Sequence, residues 1–151
     1  MAILLMTIGI PGSGKTTWAK NYVAQHSNFT IISPDEIRRK YLGGINDMSR
    51  IADAWLVTKI KVSELLFDNK DVILDATNVS TTYRRSFLIG LPECELMAKI
   101  FDVEPKIACV RIAQDLETKI RANPPTETVY RMYGEFLYTL TVIQDEGFKI
   151  I

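Results

Sequence analysis

Cysteine and histidine are nearly missing from this chain, and net charge is missing altogether. Among 151 residues there are two cysteines, one histidine, and eighteen basic residues against eighteen acidic ones. Two isolated thiols, Cys94 and Cys109, make neither a disulfide framework nor a zinc site. Cys109 stands between Ala108 and Val110 and reads as a small core residue. The single histidine, His26, falls near the end of the first predicted helix, where a cation suits the helix dipole. No second histidine exists to support a catalytic pair. A net charge of zero means no global basic field, which argues against a protein that coats long duplexes by charge alone. A local basic site stays open. Long apolar runs are absent too. The N-terminal one, Ile3 to Ile8, is too short to span a bilayer and has neither a basic leader nor a small-residue cleavage site, so the expected compartment is the cytosol. There is no low-complexity segment and no internal repeat. What remains, 47% apolar and 24% charged, is the composition of an ordinary globular protein, and its length is that of one domain with a real core.

What is present begins with Gly9 to Thr16, which reads G-I-P-G-S-G-K-T directly after the apolar run Ile3-Leu4-Leu5-Met6-Thr7-Ile8. This is the phosphate-binding loop G-x-x-x-x-G-K-[ST], with a buried strand before it and a helical pattern after it. Glycines let the backbone curl so that its N–H groups face a phosphate. Gly12, Ser13, Gly14, Lys15, Thr16 and Thr17 are therefore the expected nucleotide-binding residues. Lys15 can reach the β- and γ-phosphates, and the Thr16 hydroxyl can ligate Mg²⁺. The helix that follows points its N-terminus at the same anion.

Elements alternate along the rest of the chain. A helix is expected from about Lys15 to Gln25, then a strand at Thr30 to Ile32. Pro34 suits a first helical turn, so Asp35 to Tyr41 should be a short helix ended by Gly43-Gly44. Ser49 should cap a long helix to about Asp68, with Ile51, Trp55, Thr58, Val62 and Leu65 on one face. Asp71 to Asp75 is a buried strand closed by an acid. A helix follows over Ser80 to Leu88, and a strand over Glu95 to Val103. Pro105 opens a helix with Ile107, Val110 and Leu116 facing inward. Asn123-Pro124-Pro125 breaks the chain, and Thr126 caps a helix to about Phe136. Gly147 to Ile151 ends the chain as a short strand. This order predicts an α/β, three-layer phosphate-loop fold with a parallel sheet of about five strands and helices on both faces. In such sheets a ligand binds beyond the carboxyl ends of the strands. That singles out Gly9 to Thr16, Ser33 to Arg38, Asp75 to Asn78, and the stretch past Val103.

Three triphosphate chemistries share the loop. A motor-type ATPase usually carries a glutamate after the strand-ending acid to activate water, but Asp75 is followed by Ala76-Thr77-Asn78. A GTPase would carry N-K-x-D, and the nearest stretch, Asn69-Lys70-Asp71-Val72, has its acid one place too early. The small size favours a kinase. A kinase needs a base for the acceptor hydroxyl and positive charge around the transferring phosphoryl. Asp35 follows the second strand and is placed for the base. Arg38, one turn on, can grip an anionic acceptor by its bidentate fork. Arg39 and Lys40 read as solvated cations.

With S-P-D-E-I-R at the second strand, D-A-T-N at the third and T-I-G-I-P-G-S-G-K-T at the first, the chain resembles the 5′-hydroxyl polynucleotide kinases. The likeness is to the bacteriophage-type kinase domain of end-healing kinase-phosphatases. It extends through Phe101-Asp102-Val103 and Val129 to Tyr133. The resemblance implies Lys15 and Thr16 on the phosphates and Mg²⁺, with Asp75 sharing the metal. It implies Asp35 as general base and Arg38 on the phosphate beside the acceptor nucleoside, with Asn78 and Arg84 near the acceptor strand. It also implies a catalytic lid arginine, Arg121, with Arg111 as the second candidate at the nucleotide. The segment Arg111 to Pro125 is longer here than in the phage form. Some phage relatives place the acid where this chain has Ala76; Asp75, one residue earlier, resembles the bacterial version. One kinase domain is expected over residues 1–151, without the phosphatase domain of the phage enzyme. The expected activity is transfer of the γ-phosphate of ATP, or another triphosphate, to the 5′-hydroxyl of DNA or RNA. A small-molecule or nucleotide-sugar kinase and a non-catalytic nucleotide-binding module are the alternatives.

Overall fold

The structure, a computed structural model, describes residues 1–42, 48–118 and 124–151. In chain order the elements are β1 (Ile3–Ile8), α1 (Lys15–Gln25), β2 (Phe29–Ile32), α2 (Pro34–Tyr41), α3 (Ile51–Phe67), β3 (Asp71–Leu74), α4 (Thr81–Leu88), β4 (Glu95–Ile100), α5 (Pro105–Thr118), α6 (Thr126–Val142) and β5 (Lys149–Ile150). All strand pairs are parallel, in the order β2-β3-β1-β4-β5. The expected fold class is therefore the one observed.

β1 lies at the centre, which explains its near-continuous apolar sequence. A parallel strand covered on both faces has no solvent side to leave polar. Leu5 pairs with Ile73 on one side and Met97 on the other, so the three share one face of the sheet. That face packs under α1 through Trp18, Ala19, Tyr22 and Val23. Leu4, Met6, Ile8, Val72, Leu74 and Ala98 point the other way. They meet Val62 and Leu66 of α3, Phe87 of α4, Ala108 and Ile112 of α5, and Val129 and Phe136 of α6. Each fully buried large side chain here contributes about 1.5–3 kcal/mol relative to exposure.

Several expectations are corrected. Ser49 does not cap α3: a turn of 3₁₀ helix over Met48–Arg50 leads in, and Arg50 holds the cap position without a side-chain bond. The buried face of α3 is Ala54, Thr58, Val62 and Leu66, while Ile51 is exposed. In α5, Ile107 and Val110 are exposed and Ala108 and Ile112 are buried. Leu116 lies where side chains are outside the description. In both helices a small alanine marks the buried face, and bulk misled the reading, because close packing rewards fit as well as hydrophobicity. Thr126 begins α6 but does not cap it; Pro125 holds that position. The helix runs on to Val142, since Val129, Phe136, Thr139 and Ile143 keep one buried face. β3, β4 and β5 are shorter than expected. Gly43-Gly44 falls outside the described residues. Among the described residues no helix is long and apolar enough to cross a membrane.

Candidate active site

Because all strands are parallel, their carboxyl ends share one edge, and the loops after β1, β3 and β2 lie along it in that order. At about 4.8 Å per strand, the row from β1 to β2 is roughly 10 Å long.

The loop after β1 is shaped by two glycines with left-handed backbone. Gly12 has φ +80° and Gly14 has φ +93°. Gly12 is also pressed against α5: a Cβ there would stand 2.7 Å from the Ala108 carbonyl oxygen. Gly14 occupies the cap position of α1, with no side chain capping the helix and no acid in its first turn. The first N–H groups of α1 and its positive dipole end are thus suited to an anion. Lys15 is buried, and its ammonium donates to the Ile10 carbonyl (2.7 Å) and to Ser13 Oγ (3.3 Å). Ser13 is buried as well, while Thr17 is exposed on the first turn of α1.

Thr16 Oγ1 donates to Asp75 Oδ2 at 2.8 Å. The two residues are far apart in sequence and meet because β1 and β3 are neighbours. A hydroxyl beside a carboxylate at the head of a phosphate loop fits Mg²⁺, which takes one or two protein oxygens and completes its shell with phosphates and water. No group of three or more His, Cys, Asp or Glu that could hold a metal occurs among the described residues.

The loop after β3 is stitched to β1. Gly9 N–H donates to the Thr77 carbonyl at 3.0 Å. Thr7, fully buried, donates to the Ala76 carbonyl (3.0 Å) and accepts from the Ala76 N–H (3.3 Å). Asn78, at φ +50°, donates its amide protons to Thr7 O (2.8 Å) and Leu74 O (3.2 Å). Arg84 is buried beneath this loop. It donates to Glu146 through Nε (2.9 Å) and Nη2 (3.1 Å), to Asn78 O (2.7 Å), to Thr139 Oγ1 (3.0 Å) and to Thr81 Oγ1 (3.0 Å). A guanidinium has five N–H donors, and all five are engaged within the protein. Arg84, which the sequence reading placed near the acceptor strand, has all its donors turned to the scaffold in this structure. The Asn78 amide donors likewise face the scaffold.

At the other end of the row, Ser33 caps α2 by accepting from the Glu36 N–H, and Pro34 sits in its first turn. This presents Asp35 at the strand edge. Asp35 is exposed and forms an ion pair with Arg38, which is buried. Arg39 and Lys40 are exposed and pair with Glu36 instead, and the Arg39 hydrogen bond holds the Glu36 carboxyl below its ordinary pKa. Arg38 is thus buried where its two neighbours are exposed. On the far side of the loop, Arg111 of α5 donates to the Gly12 carbonyl at 3.4 Å, beside the glycine-rich loop. Arg121 lies outside the described residues.

The sequence reading did not single out Thr7, Thr139 or Glu146. Thr7 carried the one available signal, a lone polar residue inside an apolar strand. Thr139 and Glu146 gave none, because an exposed helical threonine or glutamate looks the same.

A family profile described as AAA domain matches residues 4–135. Among solved structures, a chain of the Pnkp1/Rnl/Hen1 RNA repair complex superposes with a TM-score of 0.79 at 23% identity, over 93% of this chain and 45% of that one. A second structure of the Pnkp1/Rnl/Hen1 complex gives a TM-score of 0.60 at 26% identity, over 71% of this chain and 38% of that one. This chain therefore spans less than half the length of those chains. Deoxyadenosine kinase from M. mycoides superposes with a TM-score of 0.57 at 14% identity, over 98% of this chain and 88% of that one. The profile covers most of the sequence, and the phosphate loop, sheet order and kinase-like fold agree with it: the chain belongs to the AAA domain family of phosphate-loop proteins.

Proposed function

We propose that the protein transfers the γ-phosphoryl of ATP, or another nucleoside triphosphate, to the 5′-hydroxyl end of DNA or RNA. The observation that carries this reading is the α2 pair: an exposed Asp35 carboxylate braced by the buried Arg38, on the edge that also holds Lys15, Thr16 and Asp75. Asp35 accepts the proton of the acceptor hydroxyl as its oxygen bonds to the γ-phosphorus. The bond to the β–γ bridging oxygen breaks, and the nucleoside diphosphate leaves. Lys15 turns from the Ile10 carbonyl to the β- and γ-phosphates. Mg²⁺ held at Thr16 and Asp75 would neutralise phosphate charge. Arg38 contacts the phosphate next to the acceptor nucleoside while it orients Asp35. Arg111 stands by the donor, and Arg121 is the candidate for the charge that grows during transfer.

A second reading, a kinase for nucleosides or other small molecules, is favoured by the zero net charge and by the likeness to deoxyadenosine kinase over nearly the whole chain. Radiolabel transfer from ATP and GTP to short 5′-hydroxyl DNA and RNA strands, run beside a panel of nucleosides and metabolites, separates the two. Label on strands supports the proposal, and label on small molecules alone replaces it with the second reading. Normal nucleotide affinity without transfer to any acceptor points to a binding module.

A further inference from the structure

The regular pairing of β1 with β3 runs up to Met6 opposite Leu74, which brings Thr7 level with Asp75. From there the chain leaves the ladder, and two side chains take the place of ladder bonds. The Thr7 hydroxyl stands 3.3 Å from the Leu74 carbonyl and 3.0 Å from the Ala76 carbonyl, and it accepts from the Ala76 N–H at 3.3 Å. The Asn78 amide donates to the same two carbonyls, at 3.2 and 3.3 Å, and to the Thr7 carbonyl at 2.8 Å. Leu74 and Ala76 are the neighbours of Asp75 along the chain. On the other side, the Asp75 N–H donates to the Ile32 carbonyl at 2.9 Å. The backbone that carries Asp75 is thus held from both adjoining strands, and its carboxylate accepts from Thr16.

Thr7 is fully buried and is the one polar residue of β1. Packing does not call for it. Valine has nearly the same outline, suits a strand as well and spares the cost of burying a hydroxyl. What the hydroxyl adds is its hold on the two peptide units that flank Asp75. We propose that Thr7 is a positioning residue for the metal site: it fixes the backbone on either side of Asp75, so that the carboxylate is aimed at the Mg²⁺ that it and Thr16 would share. Thr7 does this without touching the metal. Metal ligands are commonly oriented by hydrogen-bonding partners behind them, and those partners matter to affinity nearly as much as the ligands. Arg84 and Thr139 hold the far end of the same loop, at the Asn78 and Val79 carbonyls, whereas Thr7 acts on the peptides next to the acid. The inference rests on the reading of Thr16 and Asp75 as the Mg²⁺ site, and on no choice of acceptor.

Calorimetric titration of ATP, in EDTA and at a series of Mg²⁺ concentrations, tests it through binding alone. In the wild type Mg²⁺ should tighten ATP. Thr7→Val should raise the Mg²⁺ concentration at the midpoint of that gain by about 10–100-fold, the usual cost of removing a group that orients a metal ligand. Its ATP affinity in EDTA should stay at the wild-type value, because Lys15 and the loop N–H groups are untouched. Thr7→Ser keeps the hydroxyl and should return the midpoint close to that of the wild type. In an Asp75→Asn background Thr7→Val should add no further shift, since Thr7 acts through that carboxylate. Circular dichroism melts check that each variant is folded, and Thr7→Ala, which also lacks the hydroxyl, serves if Thr7→Val is not. A folded Thr7→Val or Thr7→Ala with the wild-type midpoint overturns the proposal. So does an equal loss of ATP affinity with and without Mg²⁺, a Thr7→Ser as impaired as Thr7→Val, or a full additional shift in the Asp75→Asn background. A wild type that binds ATP equally with and without Mg²⁺ removes the metal reading and this inference with it. A failure to phosphorylate 5′-hydroxyl ends, by contrast, changes none of these measurements.

Discussion

At the scale of single residues, the candidate site divides into side chains exposed at the sheet edge and side chains spent on the scaffold. Asp35 is exposed at the edge of the sheet and braced from beneath by Arg38. Asp35→Asn keeps the shape but cannot accept a proton. If Asp35 is the general base, this variant should bind ATP normally and lose about 10²–10⁴-fold in transfer rate. Nucleotide titration beside single-turnover kinetics checks it, and a fall in ATP affinity at an unchanged rate would assign Asp35 to the metal or the fold. Asp75 accepts a hydrogen bond from Thr16 at the head of the phosphate loop. Asp75→Asn should therefore raise the Mg²⁺ concentration needed for half-maximal rate, with part of the loss recovered at high Mg²⁺. A Mg²⁺ titration that superposes on the wild type would remove Asp75 from the metal site.

At the scale of elements, the loop after β3 is held by parts distant in sequence. Arg84 of α4 joins Glu146, beyond the end of α6, in a buried ion pair and also holds the Asn78 carbonyl. Removing one partner of such a pair leaves a buried charge uncompensated. Arg84→Met should cost about 3–5 kcal/mol of folding stability, whereas replacing both partners by apolar residues should cost less. Denaturant unfolding of the single variant and of Arg84→Met/Glu146→Leu measures this. Equal losses in the two would mean that packing, not uncompensated charge, dominates. The packing of α5 on the phosphate loop is a second tie, since Gly12 leaves no room for a side chain against Ala108.

At the scale of the whole molecule, zero net charge sets how a strand could be held. Without a general basic field, affinity for the proposed acceptor must come from a few contacts at the 5′ end. Each phosphate neutralised on a single strand contributes about −0.7 to the slope of log affinity against log salt. The acceptor KM should therefore show a slope of only about one to two such units, and should change little once the strand exceeds a few nucleotides. A steep slope growing with strand length would point to an extended basic track.

The sequence by itself determined the phosphate loop, the alternation of elements and the strand ends that carry Asp35 and Asp75. These are local signals: glycine spacing, apolar period, and an acid or proline closing a run. Only the tertiary structure decided which neighbours each side chain meets. It put Thr16 beside Asp75 by making β1 and β3 adjacent, and it set the Arg84 guanidinium against the Asn78 carbonyl. It also chose the buried faces of α3 and α5, where Ala54 and Ala108 fit and bulkier residues face out. The physical reason is the same in each case. Backbone pattern is fixed by nearest neighbours along the chain. Desolvation, hydrogen-bond saturation and close packing depend on residues brought together from far apart, and no spacing along the sequence encodes those pairings.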